Sequence, residues 1–295
     1  MFVRQLKKAM NMKKIVLLIL ILTSLSIAAS AQGGGMSLAP ARFELEMKPG
    51  SETTVVVNLD YKQAETNAKP ARIVASLNDW TLTKDGRVEY FPANTRPDSA
   101  SSWLIYTPGE AAVAPGIQHQ IRVTVTVPLN ATPGDHLAAL IIEQRLETLK
   151  FSENSRQVIV RYRMASVFYI KVGSLTRHGD FGDLLAEASD GGFTVTPMLK
   201  NEGNSVIRPT ASIAVFDADG KPVAEVEEAE TLPILANSET ARPLRIDKEL
   251  AAGKYTVKYR LDFQDGRPAT VGVTDLVVTA PAPKIASSTT PPKKP

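Results

Sequence analysis

An all-β protein of two immunoglobulin-like β-sandwiches in tandem is what this 295-residue sequence predicts. Three observations carry that prediction. Short runs rich in Val, Ile, Thr and Tyr are separated at regular intervals by Gly, Pro and Asx turn signals, the spacing of sandwich strands. Helical periodicity is weak after the N-terminal leader, apart from one helical turn expected at Leu184 to Ala188. Residues 115–143 and 236–263 share one plan of turn, strand, short link, Gly-x-aromatic and long alternating strand. In it Pro133-Gly134-Asp135-His136 corresponds to Ala252-Gly253-Lys254-Tyr255.

The leader comes first in the chain. Arg4, Lys7, Lys8, Lys13 and Lys14 precede an apolar run from Ile15 to Leu22, and Ala29-Ser30-Ala31 has the small-x-small form of a cleavage site, so residues 1–31 read as a secretory signal peptide. A membrane anchor needs about 20 apolar residues, and Thr23, Ser24 and Ser26 interrupt this run first. The mature chain is expected to be soluble and exported to the periplasm, with no membrane insertion after leader removal. The leader takes five of the 34 Lys and Arg and none of the 31 Asp and Glu, so the formal charge falls from +3 to −2. That near-neutral balance gives no electrostatic case for nucleic acid or an acidic membrane surface. With no cysteine in an oxidising compartment, hydrophobic cores alone must hold the fold.

The first strand lies in "SLAPARFELEMKPG", Ser37 to Gly50. Phe43, Leu45 and Met47 alternate with Arg42, Glu44 and Glu46 until a Pro-Gly turn ends the run. The first sandwich, 37–173, is assigned runs at 37–47, 52–59, 71–77, 87–91, 103–106, 120–127, 136–146 and 157–172. The second, 174–280, is assigned 193–200, 210–217, 222–227, 240–246, 254–263 and 269–279. Lys84-Asp85-Gly86, Asp219-Gly220 and Asp265-Gly266 supply the left-handed conformations of tight hairpins. Residues 281–295, "PAPKIASSTTPPKKP", lack the apolar content to fold and read as a disordered tail.

Catalytic signals are weak. His119, His136 and His178 lie on separate runs without zinc-ligand spacing, and the chain has no G-x-S-x-G elbow, phosphate-binding glycine loop or cysteine nucleophile. Asp217-Ala218-Asp219-Gly220 opens like a calcium loop, but Glu225 falls one position short of EF-hand spacing, so a hairpin turn is expected. Asn130-Ala131-Thr132 matters as a glycosylation acceptor only in a eukaryotic secretory route. No enzyme, cofactor or metal is expected. Trp80, Trp103 and Phe91 read as core or turn packing rather than a ligand platform. Val158, Val160, Tyr162 and Met164 alternate with Ile159, Arg161, Arg163 and Ala165 on a strand long enough to run past its own sheet. Such an edge is a template for adding a partner's strand, although the same alternation suits an ordinary core face with solvated arginines.

Several of these stretches resemble one family. "SLAPARFELE" (37–46) is similar to the first strand of periplasmic pilus chaperones of the PapD type, and "TPGEAAVAPGIQHQIRV" (107–123) resembles a later stretch of their first domain. "GDHLAALIIEQR" (134–145) followed by "VIVRYRMASVFYIKV" (158–172) resembles that domain's last two strands, with Val167-Phe168-Tyr169 in place of Leu-Phe-Tyr. The resemblance implies two immunoglobulin-like domains that cap pilus subunits. Its partners would be a pilus or other secreted β-rich subunit and an outer-membrane usher. It also implies that Arg42 anchors the subunit's C-terminal carboxylate and that Val158, Val160, Arg161, Tyr162, Arg163 and Met164 form the subunit-binding strand. Ser166 stands where a second basic anchor is expected, with Arg161, Arg163 or Lys171 as nearby substitutes, and Ile170-Lys171 replaces an Arg-Pro. Residues 195–217 resemble generic bacterial immunoglobulin-like modules. The alternative is an extracellular adhesion or cell-wall-binding protein built from such modules, against which stands the end "TTPPKKP", without a hydrophobic span.

Overall fold

The computed structural model describes residues 35–62, 69–145 and 161–279. The expected signal peptide, Val158, Val160 and the expected tail lie outside them. The described elements are strands, apart from a 3-10 turn at Ser101–Trp103. The first ten are β1 (Gly35–Ala39), β2 (Arg42–Met47), β3 (Glu52–Lys62), β4 (Ala71–Leu82), β5 (Val88–Pro92), β6 (Leu104–Thr107), β7 (Glu110–Val113), β8 (His119–Thr126), β9 (Gly134–Arg145) and β10 (Arg163–Val172). They form sheets ordered β1-β3-β8-β6 and β2-β10-β9-β4-β5, with β7 also pairing β4. The rest are β11 (Gly179–Ser189), β12 (Gly192–Asn201), β13 (Thr210–Phe216), β14 (Pro222–Glu230), β15 (Ser238–Ala241), β16 (Leu244–Ile246), β17 (Gly253–Asp262) and β18 (Thr270–Val278). They form sheets ordered β11-β12-β15 and β14-β13-β17-β18, with β16 also pairing β12.

Each pair of sheets closes on its own core. The first holds Val57, Leu59, Ile73, Ile121, Leu140 and Phe168, all essentially inaccessible. The second centres on Phe193, Val195, Val215, Val257 and Leu261. Each fully buried side chain of this size contributes about 1.5–3 kcal/mol relative to exposure. On β2, Phe43, Leu45 and Met47 pack against the first core, with Phe43 stacked on Phe168 at 4.9 Å, while Arg42, Glu44 and Glu46 point away.

The expected run 240–246 is two strands, β15 and β16, and two further expectations need correction. The run 37–47 is two strands: β1 pairs antiparallel with β3 in one sheet and β2 pairs parallel with β10 in the other. The change of sheet falls at Pro40, which has no N–H to offer a ladder. The helical turn at 184–188 is instead part of β11. Its pairing with β12 runs Phe181↔Leu199 and then Leu184↔Pro197, a bulge that places both apolar residues on one face.

The echo between the halves has a structural counterpart. His136 Nε2 lies 2.9 Å from the Thr132 carbonyl, and the Tyr255 hydroxyl donates to the Ala251 carbonyl at 2.8 Å. Both rings reach back four residues at the corner that opens the long strand, a sandwich device.

The two sandwiches meet along a seam. On the outer face of β4, β9 and β10, Trp80, Leu137, Ala139, Ile141 and Tyr169 are covered by Val206 and Leu235 of the second sandwich. With one face on the first core and the other on the seam, Gly134 to Ile142 of β9 is buried residue after residue. The Asp135 N–H donates to the Asn204 carbonyl and the Ala241 N–H to the Lys84 carbonyl, both at 2.8 Å. The aromatic residues fill cores and turns: Trp80 meets Tyr169 edge-on, Trp103 packs beside His136, and Phe91 lies under the Arg96 guanidinium. At Asp217, Oδ1 accepts the N–H groups of Asp219 and Lys221, a hairpin turn.

Candidate functional site

The site begins with a mismatch in strand length. β9 pairs with β10 from Arg163 onward, whereas β2 joins β10 only at Val167, which lies opposite Arg42. Among the described residues, 163–166 of β10 are therefore paired on one side only. The Gln144 N–H donates to the Tyr162 carbonyl, so even-numbered residues direct their backbone to β9. The Val167 N–H donates to the Ala41 carbonyl, so odd-numbered residues direct theirs to the opposite edge. Arg163 and Ala165 thus present their N–H and C=O groups on the open edge.

Pro40 and Ser166 shape that opening. Ser166 is fully buried and its hydroxyl donates to the Pro40 carbonyl at 2.8 Å, fixing the chain where it enters β2. The residue at the expected second anchor position therefore serves as an internal clamp. Arg42 follows at once, with its side chain half exposed and Nε 3.3 Å from Glu44 Oε1.

Glu44 is a meeting point for cations. Lys171 Nζ on β10 lies 2.7 Å from Oε2, and from the second sandwich Arg208 places Nη2 2.8 Å and Nε 3.2 Å from Oε1. Burial pushes the Glu44 carboxyl up, but the Lys171 hydrogen bond and the charges of Arg208 and Lys171 outweigh it and hold it below the ordinary range. Arg208 also lies over the Tyr169 ring, 5.5 Å from its centroid. Three cations gather around one carboxylate, with Arg208 Nη1 also 4.0 Å from Glu230, beside a cleft of about 190 Å³ lined by Glu44, Lys171, Arg177, Val206, Arg208 and Phe263.

The structure thus brings Arg42, Lys171 and the β10 edge, with the Arg163 backbone on it, into one region, while the side chains of the other described strand residues are engaged within the first sandwich. Arg161 pairs with Glu143 at 3.4 Å, Arg163 lies over the Tyr90 ring at 5.9 Å, and Met164 packs against the first core. Sequence reading missed Arg208, because its contact crosses the seam and leaves no local pattern. Glu44 was visible only as an outward neighbour of Arg42.

Neither a family model nor a curated protein matches the sequence. The structure is similar to solved chaperone structures of chaperone-usher pili. A chain from a chaperone–tip adhesin complex of CFA/I fimbriae is 9% identical, with 84% of this chain and 100% of that chain covered and a TM-score of 0.43. A chain from the Salmonella enterica SafA pilin–SafB chaperone complex is 12% identical, covering 83% and 99%, with a TM-score of 0.42. One from the CsuC–CsuE chaperone–tip subunit pre-assembly complex of Acinetobacter baumannii is 13% identical, covering 82% and 98%, with a TM-score of 0.39. Similarity at this level leaves ligand and residue roles to be argued from the chain itself.

Proposed function

We propose that this chain is a periplasmic, non-enzymatic chaperone-like protein that binds pilus-type or other secreted β-rich subunits by adding an extended client strand to the open edge of β10. The observation that carries the reading is that β10 runs four residues beyond β2 and ends its open stretch beside Arg42. Main-chain pairing to Arg163 and Ala165 would supply affinity with little demand on client sequence, as suits a protein that handles incomplete sheets. A client strand running parallel to β10 points its C-terminus at the start of β2, where a terminal carboxylate meets the half-exposed Arg42. A guanidinium takes a carboxylate bidentately, and Lys171 and Arg208 stand nearby at Glu44. The outer-membrane usher as a second partner rests on the sequence resemblance of 37–172 alone.

A photo-cross-linking side chain at Ala165, compared with one at Arg122 on the exposed face of β8, tests the reading in cells. The expected result is an adduct with a secreted β-rich subunit from position 165 and none from 122. Equal labelling from both positions, or none from 165, would overturn it.

A further inference from the structure

A cavity of about 320 Å³ opens between the two sheets of the second sandwich, walled by Leu199, Ile213, Val226 and Tyr259, with Leu232 and Leu244 at its mouth. Two local breaks make it. β12 pairs Met198 with Ala241 and Val195 with Leu244, but Pro197 and Pro243 fall between, and neither proline has an N–H for the ladder. Across the gap, Ala211 pairs with Ala229 and Ile213 with Val226, so three steps on β14 oppose two on β13. This bulge bends β14 outward.

The contents of the socket follow from size and charge. Its volume lies at the lower end of ligand pockets, which run about 300–1,000 Å³. Leu232 and Leu244 are 58% and 43% exposed, so apolar surface continues beyond the cavity and its occupant is part of something larger. Glu227 and Glu230 stand at the mouth. Arg242 lends its stem to the wall, but its Nη2 donates to the Pro233 carbonyl, its Nε and Nη1 are buried, and its guanidinium packs on Gly86 of the β4–β5 turn. The exposed charge at the mouth is therefore that of Glu227 and Glu230, the latter 4.0 Å from Arg208 Nη1, while the Arg242 charge stays buried in the wall. Strand addition along this edge is blocked, because a bulge and the row Glu225, Glu227, Glu228 and Glu230 are what protects an edge strand from pairing.

We propose that the second sandwich carries a socket, separate from the β10 edge, for one bulky apolar side chain flanked by basic residues on a partner polypeptide. The side chain enters between the sheets while its basic neighbours meet Glu227 and Glu230.

Calorimetric titration of the mature protein with three amidated peptides tests this: Gly-Lys-Trp-Lys-Gly, Gly-Glu-Trp-Glu-Gly and Gly-Lys-Ala-Lys-Gly. The first is expected to bind saturably and about tenfold or more tighter than the other two. The double substitution Glu227→Lys and Glu230→Lys should reverse the preference toward the glutamate peptide. Ala211→Phe, which fills the cavity, should abolish binding. Should Ala211→Phe fail to fold, the charge reversal on the exposed strand still decides the matter. Equal binding of the alanine peptide, no saturable binding, or a preference unmoved by charge reversal would overturn the proposal.

Discussion

Asp79 and Asp135 are both buried, and their surroundings push them in opposite directions. Burial raises Asp79, but the hydroxyls of Ser101 and Ser99 and the N–H groups of Arg96 and Thr95 outweigh it and hold the carboxyl below its ordinary range. With the Asn94 N–H these donors tie the 94–101 loop to β4. Asp79 therefore contributes stability above its unfolded pKa, and that contribution is lost as pH falls through the folded pKa. Asp79→Asn turns an amide toward these donors and is expected to cost about 2–3 kcal/mol, read by denaturant unfolding at pH 7, with the difference shrinking as pH falls below the ordinary carboxylate range. Asp135 at the seam accepts the Val206 N–H at 2.6 Å through Oδ2, and the Ser205 hydroxyl acts on the same carboxyl. Burial raises this carboxyl against the opposing effects of the Val206 amide, the Ser205 hydroxyl, Lys171 and Arg177. Its sign is the reverse: folding favours the protonated form, so stability declines as pH rises from its ordinary range toward the raised value. Asp135→Asn should raise the Tm at pH 7 and flatten its dependence between pH 4 and 7. A fall in Tm with an unchanged slope would contradict this assignment.

At the scale of elements, alternation made most strands legible. Phe43, Leu45 and Met47 point inward and Arg42 outward as the period of two requires. The exceptions have physical causes. Pro40 sends one continuous alternation into two sheets, an event that depends on which partner strands are near. Leu184, Leu185 and Ala188 carry the apolar spacing of a helical turn, yet the stretch pairs regularly with β12 from Leu184 to Ser189, beyond the bulge at Phe181. β10 was legible as an alternating strand, but it does not outrun its sheet over the described residues: β9 pairs it throughout, and the open stretch is set by where β2 joins it. Arg208 was beyond reach for a related reason: its partners Glu44 and Tyr169 belong to the other sandwich. Ala165→Pro removes one N–H from the open edge and none from the β9 ladder. It is expected to leave the fold intact by circular dichroism while weakening client capture about tenfold or more. Unchanged capture would count against strand addition.

On the scale of the molecule, the seam decides whether the two sandwiches act as one body. We propose that they are domains spanning 37–173 and 174–280. The apolar cluster around Trp80 and Leu235, the Lys84–Glu239 ion pair at 2.9 Å and the Glu44–Arg208 contact couple them. Leu235→Ala leaves a cavity in that cluster and is expected to cost about 2–5 kcal/mol. In scanning calorimetry the single transition expected of the coupled protein should split into two, and one unshifted transition would argue against coupling through this cluster. The proposed client site lies beside the same seam, with Arg42 on the first sandwich and Arg208 on the second gathered at Glu44.

The central claim is that a client strand lies along the β10 edge with its carboxylate on Arg42. A double-mutant cycle tests it most directly: an alternating Val-Thr decapeptide, with free carboxylate or amidated, titrated into the wild-type protein and Arg42→Ala. A charge-assisted pair of this kind is worth about 1.5–3 kcal/mol. The wild-type protein should therefore prefer the free carboxylate by about ten- to a hundredfold, and Arg42→Ala, with an unchanged Tm, should lose that preference. The same preference in both proteins, or none in the wild type, would contradict the account.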